Sequence, residues 1–110
     1  MDDPTILLNH HVALLALVEL AKEEVVKYNG VKLLAMRFTG KMLMAELERS
    51  RERLRANKIW VADRPIGERR YRYSLAGRRG EHEISQDDLD MHMRAIEGDM
   101  VRVIDKMRPG

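Results

Sequence analysis

The first half of the chain has the apolar spacing of helices. Residues 5–28 carry apolar side chains on more than one stripe, which predicts a largely buried helix. Asn29-Gly30 is a typical stop signal after it. A short helical stretch is predicted over residues 31–37, an interruption at Phe38-Thr39-Gly40, and a longer helix over residues 41–56.

From residue 58 the apolar period changes from that of a helix to two. Residues 59–63 and 70–75 alternate apolar and polar side chains, and the segment between them contains Pro65 and Gly67. Two alternating segments joined by turn residues predict a β-hairpin. Residues 77–80, Gly-Arg-Arg-Gly, are expected to form a flexible connection.

A final helix is predicted from Ser85, which can cap it, with Asp87 and Asp88 in its first turn. Its apolar residues form a narrow, heptad-like seam. Such a seam either pairs with a second copy of the chain or covers the core of the monomer, and we expect a homodimer. The seam consists of Leu89, Met93, Ile96, Met100, Val103 and Met107.

Composition limits the classes of protein to which the chain can belong. Its 110 residues fit a single compact domain. The sequence contains no cysteine, which excludes a disulfide framework and thiolate zinc sites and suits a reducing compartment. The apolar stretch over residues 12–20 is too short to span a membrane and follows no basic leader, so a cytoplasmic protein without a membrane partner is expected.

The charge is distributed unevenly along the chain. Residues 1–30 carry −3, residues 31–80 carry +9 from fourteen bases and five acids, and residues 81–110 carry −4, which sum to the net +2. The glutamates at positions 46–52 pair with some of the neighbouring arginines at helical spacing. The remaining basic charge predicts that the middle segment lies against nucleic acid.

The order of these elements resembles a winged helix-turn-helix. Residues 31–37 look like the first helix of that motif, residues 38–40 like its turn, and residues 41–56 like its recognition helix. Residues 70–78, RYRYSLAGR, are similar to the exit from the wing in PadR-like and MarR-like regulators. The resemblance covers roughly residues 11–78 and implies an α+β, mostly α fold: a winged-helix domain of three helices and a hairpin wing at residues 1–80, and a dimerising helix at 81–110.

The same resemblance implies a sequence-specific, DNA-binding transcriptional regulator that acts as a homodimer on double-stranded DNA. The recognition helix would approach base edges in the major groove, and the wing would reach the phosphate backbone or minor groove. The predicted DNA-binding residues are Lys41, Met42, Ala45 and Arg49 on the helix and Arg64, Arg69, Arg70 and Arg72 on the hairpin, of which the hairpin arginines have fewer nearby acids.

Two other functions are compatible with the sequence. The same scaffold could hold a protein partner without DNA, or Tyr71 and Tyr73 could stack on RNA bases among arginines. His10 and His11 are adjacent on a helix, diverge by about 100°, and cannot chelate one metal ion. No metal, cofactor or catalytic residue is predicted, since no nucleotide-binding or hydrolase motif occurs. The sequence does not identify a small-molecule effector.

Overall fold

The computed structural model describes residues 3–27 and 29–107, and within them the chain forms three helices and one three-stranded sheet. The predicted class, α+β and mostly helical, is confirmed. The elements are α1 (Pro4–Val25), α2 (Gly30–Ala56), β1 (Ile59–Val61), β2 (Arg70–Leu75), β3 (Arg78–Glu83) and α3 (Gln86–Met107).

The predicted interruption at residues 38–40 is wrong, because α2 runs through it as one helix of 27 residues. The hydroxyl of Thr39 donates to the carbonyl oxygen of Ala35 at 3.0 Å, inside the helix, instead of capping a new one. A glycine costs a helix about 1 kcal/mol, which the burial of the aliphatic stripe through Leu43 and Leu47 against α1 outweighs. The separate recognition helix, and with it the three-helix arrangement expected from the resemblance, is not formed by the described residues.

The sheet is antiparallel with the order β1-β2-β3. The predicted hairpin is confirmed, because Ile59 pairs with Leu75 in β1 and β2. The expected flexible connection is wrong: it belongs to β3, which a two-residue turn at Ala76-Gly77 joins to β2. Both turn residues have positive φ, 51° and 85°, as a tight hairpin with the twist of its strands requires. Because β3 contains residue 80, the predicted boundary between winged-helix domain and last helix falls inside a strand.

The helix ends follow local capping rules. The side chain of Asp3 accepts from the amide of Thr5 at 2.8 Å, ahead of Pro4 in the first turn of α1. Ser85 caps α3 as predicted and accepts from the amide of Asp88 at 3.1 Å. The left-handed residue after α2 is Lys58, with φ of 60°, and not the asparagine before it.

The core of the protein surrounds α1. α2 packs on one side of α1 and α3 on another, and the sheet contributes Ile59, Val61 and Tyr71 to the same core. Ile96 of the predicted seam is buried in this core, and Leu89, Met93 and Met100 pack partly buried against it. The seam therefore covers the core of its own chain. The side chain of Met107, which ends α3, lies outside the described residues.

α1 is long and apolar enough to cross a membrane by length and composition alone, over Pro4–Glu24. More than half of that segment is buried inside the protein, between the other two helices and the sheet. A central core helix has the same length and composition, because it is covered by apolar side chains around most of its circumference.

Two polar contacts, one buried and one partly buried, hold α1 in register with its neighbours. Nδ1 of His11 lies 2.9 Å from Oγ of Ser50 on α2, and Nε2 of His82 on β3 lies 2.6 Å from Oδ1 of Asn9. Ser50 interrupts the aliphatic stripe of α2 because it accommodates the histidine ring. Burial, and then the positive charge of Arg51, lowers the pKa of His11 to about 4, so the imidazole is neutral at pH 7.

Protonation of His11 makes the stability depend on pH. The unfolded chain binds a proton at this histidine below its ordinary pKa of 6.5, whereas the folded chain does so only near pH 4. The contribution of His11 to the free energy of unfolding is therefore fully present above pH 6.5 and falls as the pH is lowered towards 4. We expect urea denaturation to give a free energy of unfolding lower by roughly 2 kcal/mol at pH 5 than at pH 7 from this group.

His11→Gln removes this contribution, so the pH dependence of the variant becomes shallower. It does not vanish, because burial also lowers the pKa of His10 and His82. An unchanged slope between pH 7 and pH 5 in the variant would show that His11 is not a buried neutral group.

The hairpin turn gives a second prediction. Ala76 is exposed and has a positive φ, which is strained for a residue with a Cβ and better tolerated by asparagine. Ala76→Asn is expected to raise the free energy of unfolding by about 0.5–1 kcal/mol in urea titrations. The same substitution at exposed Ala95 in α3 should lower it by about 0.5 kcal/mol. Equal effects at the two positions would contradict the two-residue turn.

Candidate nucleic-acid interface

The outward face of the sheet is polar except for one large aromatic side chain. Alternate residues of the strands point away from α1, and Trp60 on this face is 59% exposed. The strand register aligns Trp60, Ser74 and Arg79 in one row across all three strands. Arg70 and Arg72 lie on the same face of β2. The face thus combines a stacking surface with three guanidinium groups.

Acidic residues on β3 oppose two of these arginines. Arg70 pairs with Glu83, with 3.8 Å between Nη2 and Oε2. Arg72 stands directly across from Glu81 but makes no ion pair with it. Exposed pairs of this kind contribute little to stability, about 0–1 kcal/mol, so they break at small cost when a stronger anion approaches.

Basic side chains also collect at the end of the sheet where α2 leads into β1. The amide of Ala76 donates to the carbonyl of Lys58 at 2.8 Å, which sets the β2–β3 turn beside the end of α2. Five exposed cations lie at this end or on the adjoining outward face, and none makes an ion pair or side-chain hydrogen bond with another described residue. We call them the basic patch: Arg55, Lys58, Arg72, Arg78 and Arg79.

A recess of about 330 Å³ opens beside Trp60, between the edge strand β1 and the last turns of α2. Arg55 of the basic patch lies on its wall. A second arginine on the wall, Arg51, is held by Asp63, with 3.1 Å between Nη2 and Oδ1, and by Glu48. One free and one paired guanidinium therefore flank the recess, which is lined by His11, Arg51, Leu54, Arg55, Ile59, Trp60, Val61 and Asp63.

The structure does not bring the predicted recognition-helix residues to this surface. Lys41 is exposed on the first half of α2, far along the helix from the sheet. Arg49 pairs with Glu46, at 2.5 Å between Nη2 and Oε2. Met42, Ala45 and Arg49 line a groove between α2 and α3, opposite Ile96, Met100 and Val103 of the predicted dimer seam.

The predicted hairpin arginines divide into two groups. Arg70 and Arg72 share the outward sheet face with Trp60. Arg64 lies exposed in the connection between β1 and β2, at the other end of the sheet. Arg69 makes two contacts within the chain. Its Nε donates to the carbonyl of Ile84 at 3.2 Å, and its Nη1 lies 3.0 Å from Oε1 of Glu68 in an ion pair. Its guanidinium is therefore already hydrogen-bonded inside the protein and is not free to contact a ligand.

Sequence reasoning missed Trp60, Arg55, Lys58, Arg78 and Arg79. Arg78 and Arg79 fall in the predicted flexible connection, although Ala76-Gly77 between two alternating segments is typical of a two-residue hairpin loop. Lys58 and Arg55 lie near the β2–β3 turn because α2 is followed directly by β1, which pairs with β2 next to that turn.

The remaining candidate chemistry lies inside the protein. Ser50 and His11 form a hydrogen bond, but they are 3% and 1% exposed, so the hydroxyl is not accessible to a substrate. Tyr71 is 7% exposed and faces the core, so its ring cannot stack on an RNA base. In the part of the chain that the structure describes, no three His, Cys, Asp or Glu side chains are placed to hold a metal ion.

The chain matches no protein-family model, and neither the curated proteins nor the solved structures contain a match to it.

Proposed function

We propose that the protein binds nucleic acid, with double-stranded DNA as its ligand, through the outward face of the sheet and the basic patch. One observation supports this most strongly: five exposed cations that have no ion-pair partner among the described residues lie at the end of the sheet or on the outward face that carries Trp60. Free cations on one surface release counterions when they contact phosphates, which favours binding to a polyanion.

The shape of the surface also suits a duplex. β-Sheets can bind in the grooves of a duplex, and the outward face of this three-stranded sheet ends at the tight β2–β3 turn. Arg78 and Arg79 follow this turn, where they would contact phosphates. Arg72 would then point towards base edges, where a guanidinium can bind guanine through two hydrogen bonds. Base contacts of this kind would give a sequence-specific regulator of transcription.

DNA binding is the function that the resemblance implies, but here the sheet, and not a recognition helix, would contact the DNA. The β2–β3 hairpin would take the part of a wing, and α2 would support the sheet without entering the groove. This assignment uses Arg70 and Arg72 of the predicted residues and excludes Arg69, because its guanidinium is already bound to Ile84 and Glu68.

A salt titration of duplex binding tests the basic patch. We expect the logarithm of the binding constant to fall linearly with the logarithm of the salt concentration. In the Arg78→Ala/Arg79→Ala variant the slope of this line should be smaller by about 2, and the affinity at moderate salt should be at least roughly tenfold lower. The reason is the loss of two phosphate contacts. Fluorescence of Trp60 reports binding, since it is the only tryptophan of the chain.

Arg102→Ala is the matched control for that experiment. Arg102 is also exposed but lies on α3 and pairs with Asp99, so its removal should leave both slope and affinity unchanged. The absence of duplex binding at low salt, or equal losses in the two variants, would contradict the proposal.

A second ligand, single-stranded nucleic acid, is favoured by the exposure of Trp60 beside the recess. Bases stack on exposed aromatic rings with about 1–3 kcal/mol each, and a duplex offers no free base face. If the ligand is single-stranded, Trp60→Val should weaken its binding by roughly tenfold or more, because valine keeps the strand preference but removes the ring.

Competition between a single strand and its duplex separates the two ligands. Duplex DNA as the ligand predicts preference for the duplex and a small effect of Trp60→Val. A preference for the single strand that disappears in this variant would assign the surface to single-stranded nucleic acid.

A further inference from the structure

An open groove runs between α2 and α3 on the side of the molecule away from the sheet. Both helices pack on α1 and make little contact with each other. The groove has a volume of about 370 Å³, and its walls are mainly apolar. Met42 and Ala45 lie on the α2 wall, and Met100 and Val103 lie on the α3 wall.

Exposed apolar side chains are present on both helices. On α2, Leu34 and Phe38 precede Met42 at helical spacing and are 65% and 39% exposed. On α3, Val103 on the groove wall is 44% exposed. A patch of this composition on two neighbouring helices is typical of a surface that another protein covers.

The two helices carry opposite charges. Residues 30–45 of α2 contain three bases and no acid. α3 contains six acids and three bases, and its residues 96–103 at the groove contain two acids and one base, a net charge of −1. A partner that covers both helices must therefore present negative charge to α2 and positive charge to α3.

A second copy of the chain meets this requirement when it is related by a two-fold axis. Rotation places α2 of one copy beside α3 of the other, and the same contact occurs twice. Each basic half-helix then lies beside an acidic helix, whereas contact of α2 with its own copy would oppose like charges. The four helices have the arrangement of a four-helix bundle, in which apolar stripes meet in the centre.

We propose that the protein is a homodimer in which α2 and α3 of each copy form this four-helix bundle over the groove. Of the predicted seam of α3, the contact uses the end that the core leaves exposed, at Val103, because Ile96 is buried in the core and Met100 packs against it. It also leaves the basic patch exposed, because that patch lies at the C-terminal end of α2 and the bundle uses residues 34–45. The dimer does not depend on nucleic-acid binding.

Light scattering coupled to size exclusion tests the assembly. The full chain is expected to have twice the mass of the monomer at high micromolar concentration. Phe38→Glu and Val103→Glu should each raise the dissociation constant by roughly 30-fold or more, because each puts a charge into the apolar centre. Both positions are exposed in the monomer, so circular dichroism should show an unchanged fold.

Ile66→Glu is the matched control, since Ile66 is 41% exposed in the connection between β1 and β2, outside the groove. It should leave the dimer intact. Charge reversal tests the pairing of the helices: Lys41→Glu should weaken the dimer, and Asp99→Lys in the same chain, at an acid that lines the groove, should restore at least part of the affinity.

Three results would overturn the proposal. A monomer at high micromolar concentration would assign the groove to a different helical partner. A dimer insensitive to Phe38→Glu and Val103→Glu would place the interface elsewhere. A failure of Asp99→Lys to compensate for Lys41→Glu would contradict the arrangement of α2 beside α3. Nucleic-acid binding by the basic patch could survive each of these results.

Discussion

The burial of α1 is the constraint on which the rest of the structure depends. Its apolar residues occupy most of its circumference, so it is stable in water only when other elements cover it on several sides. α2, α3 and the inner face of the sheet provide that cover. Because each of them has one face committed to α1, their outward faces are the surfaces left for function.

The polar contacts of α1 explain how this arrangement is made specific. Asn9, His10 and His11 are consecutive, and a helix directs consecutive side chains to different neighbours. Asn9 contacts His82 on β3, His10 lies near Glu46 on α2, and His11 contacts Ser50 on α2. Apolar packing alone would tolerate sliding of the helices, whereas a buried hydrogen bond is lost when its partners move.

α2 connects the two proposed surfaces. Its first half carries bases and exposed apolar side chains, and its last turns carry Arg55 at the recess beside Trp60. Between them, Arg49 and Arg51 pair with glutamates three residues earlier and are largely neutralised. Local pairing therefore separates the bases of the first half of α2 from Arg55 in its last turn, which the net charge of the segment does not reveal.

The positions of the candidate site residues were predictable only where their partners are local. The sequence placed Arg70 and Arg72 correctly on a hairpin, because strand alternation needs no distant information. It could not show that Arg69 is bound to the carbonyl of Ile84, fifteen residues away. It also could not place Arg55 beside Trp60, since that proximity depends on how α2 meets the sheet.

The sequence by itself determined the class of the fold, the first and last helices, the β1–β2 hairpin and the Ser85 cap, all of which follow from periodicity and neighbouring residues. Only the tertiary structure decided that residues 30–56 form one helix. The local signal at Phe38-Thr39-Gly40 is worth about 1 kcal/mol, and burial of the stripe against α1 exceeds it. Tertiary packing likewise decided which cations remain unpaired, because an ion pair forms where two side chains meet in space.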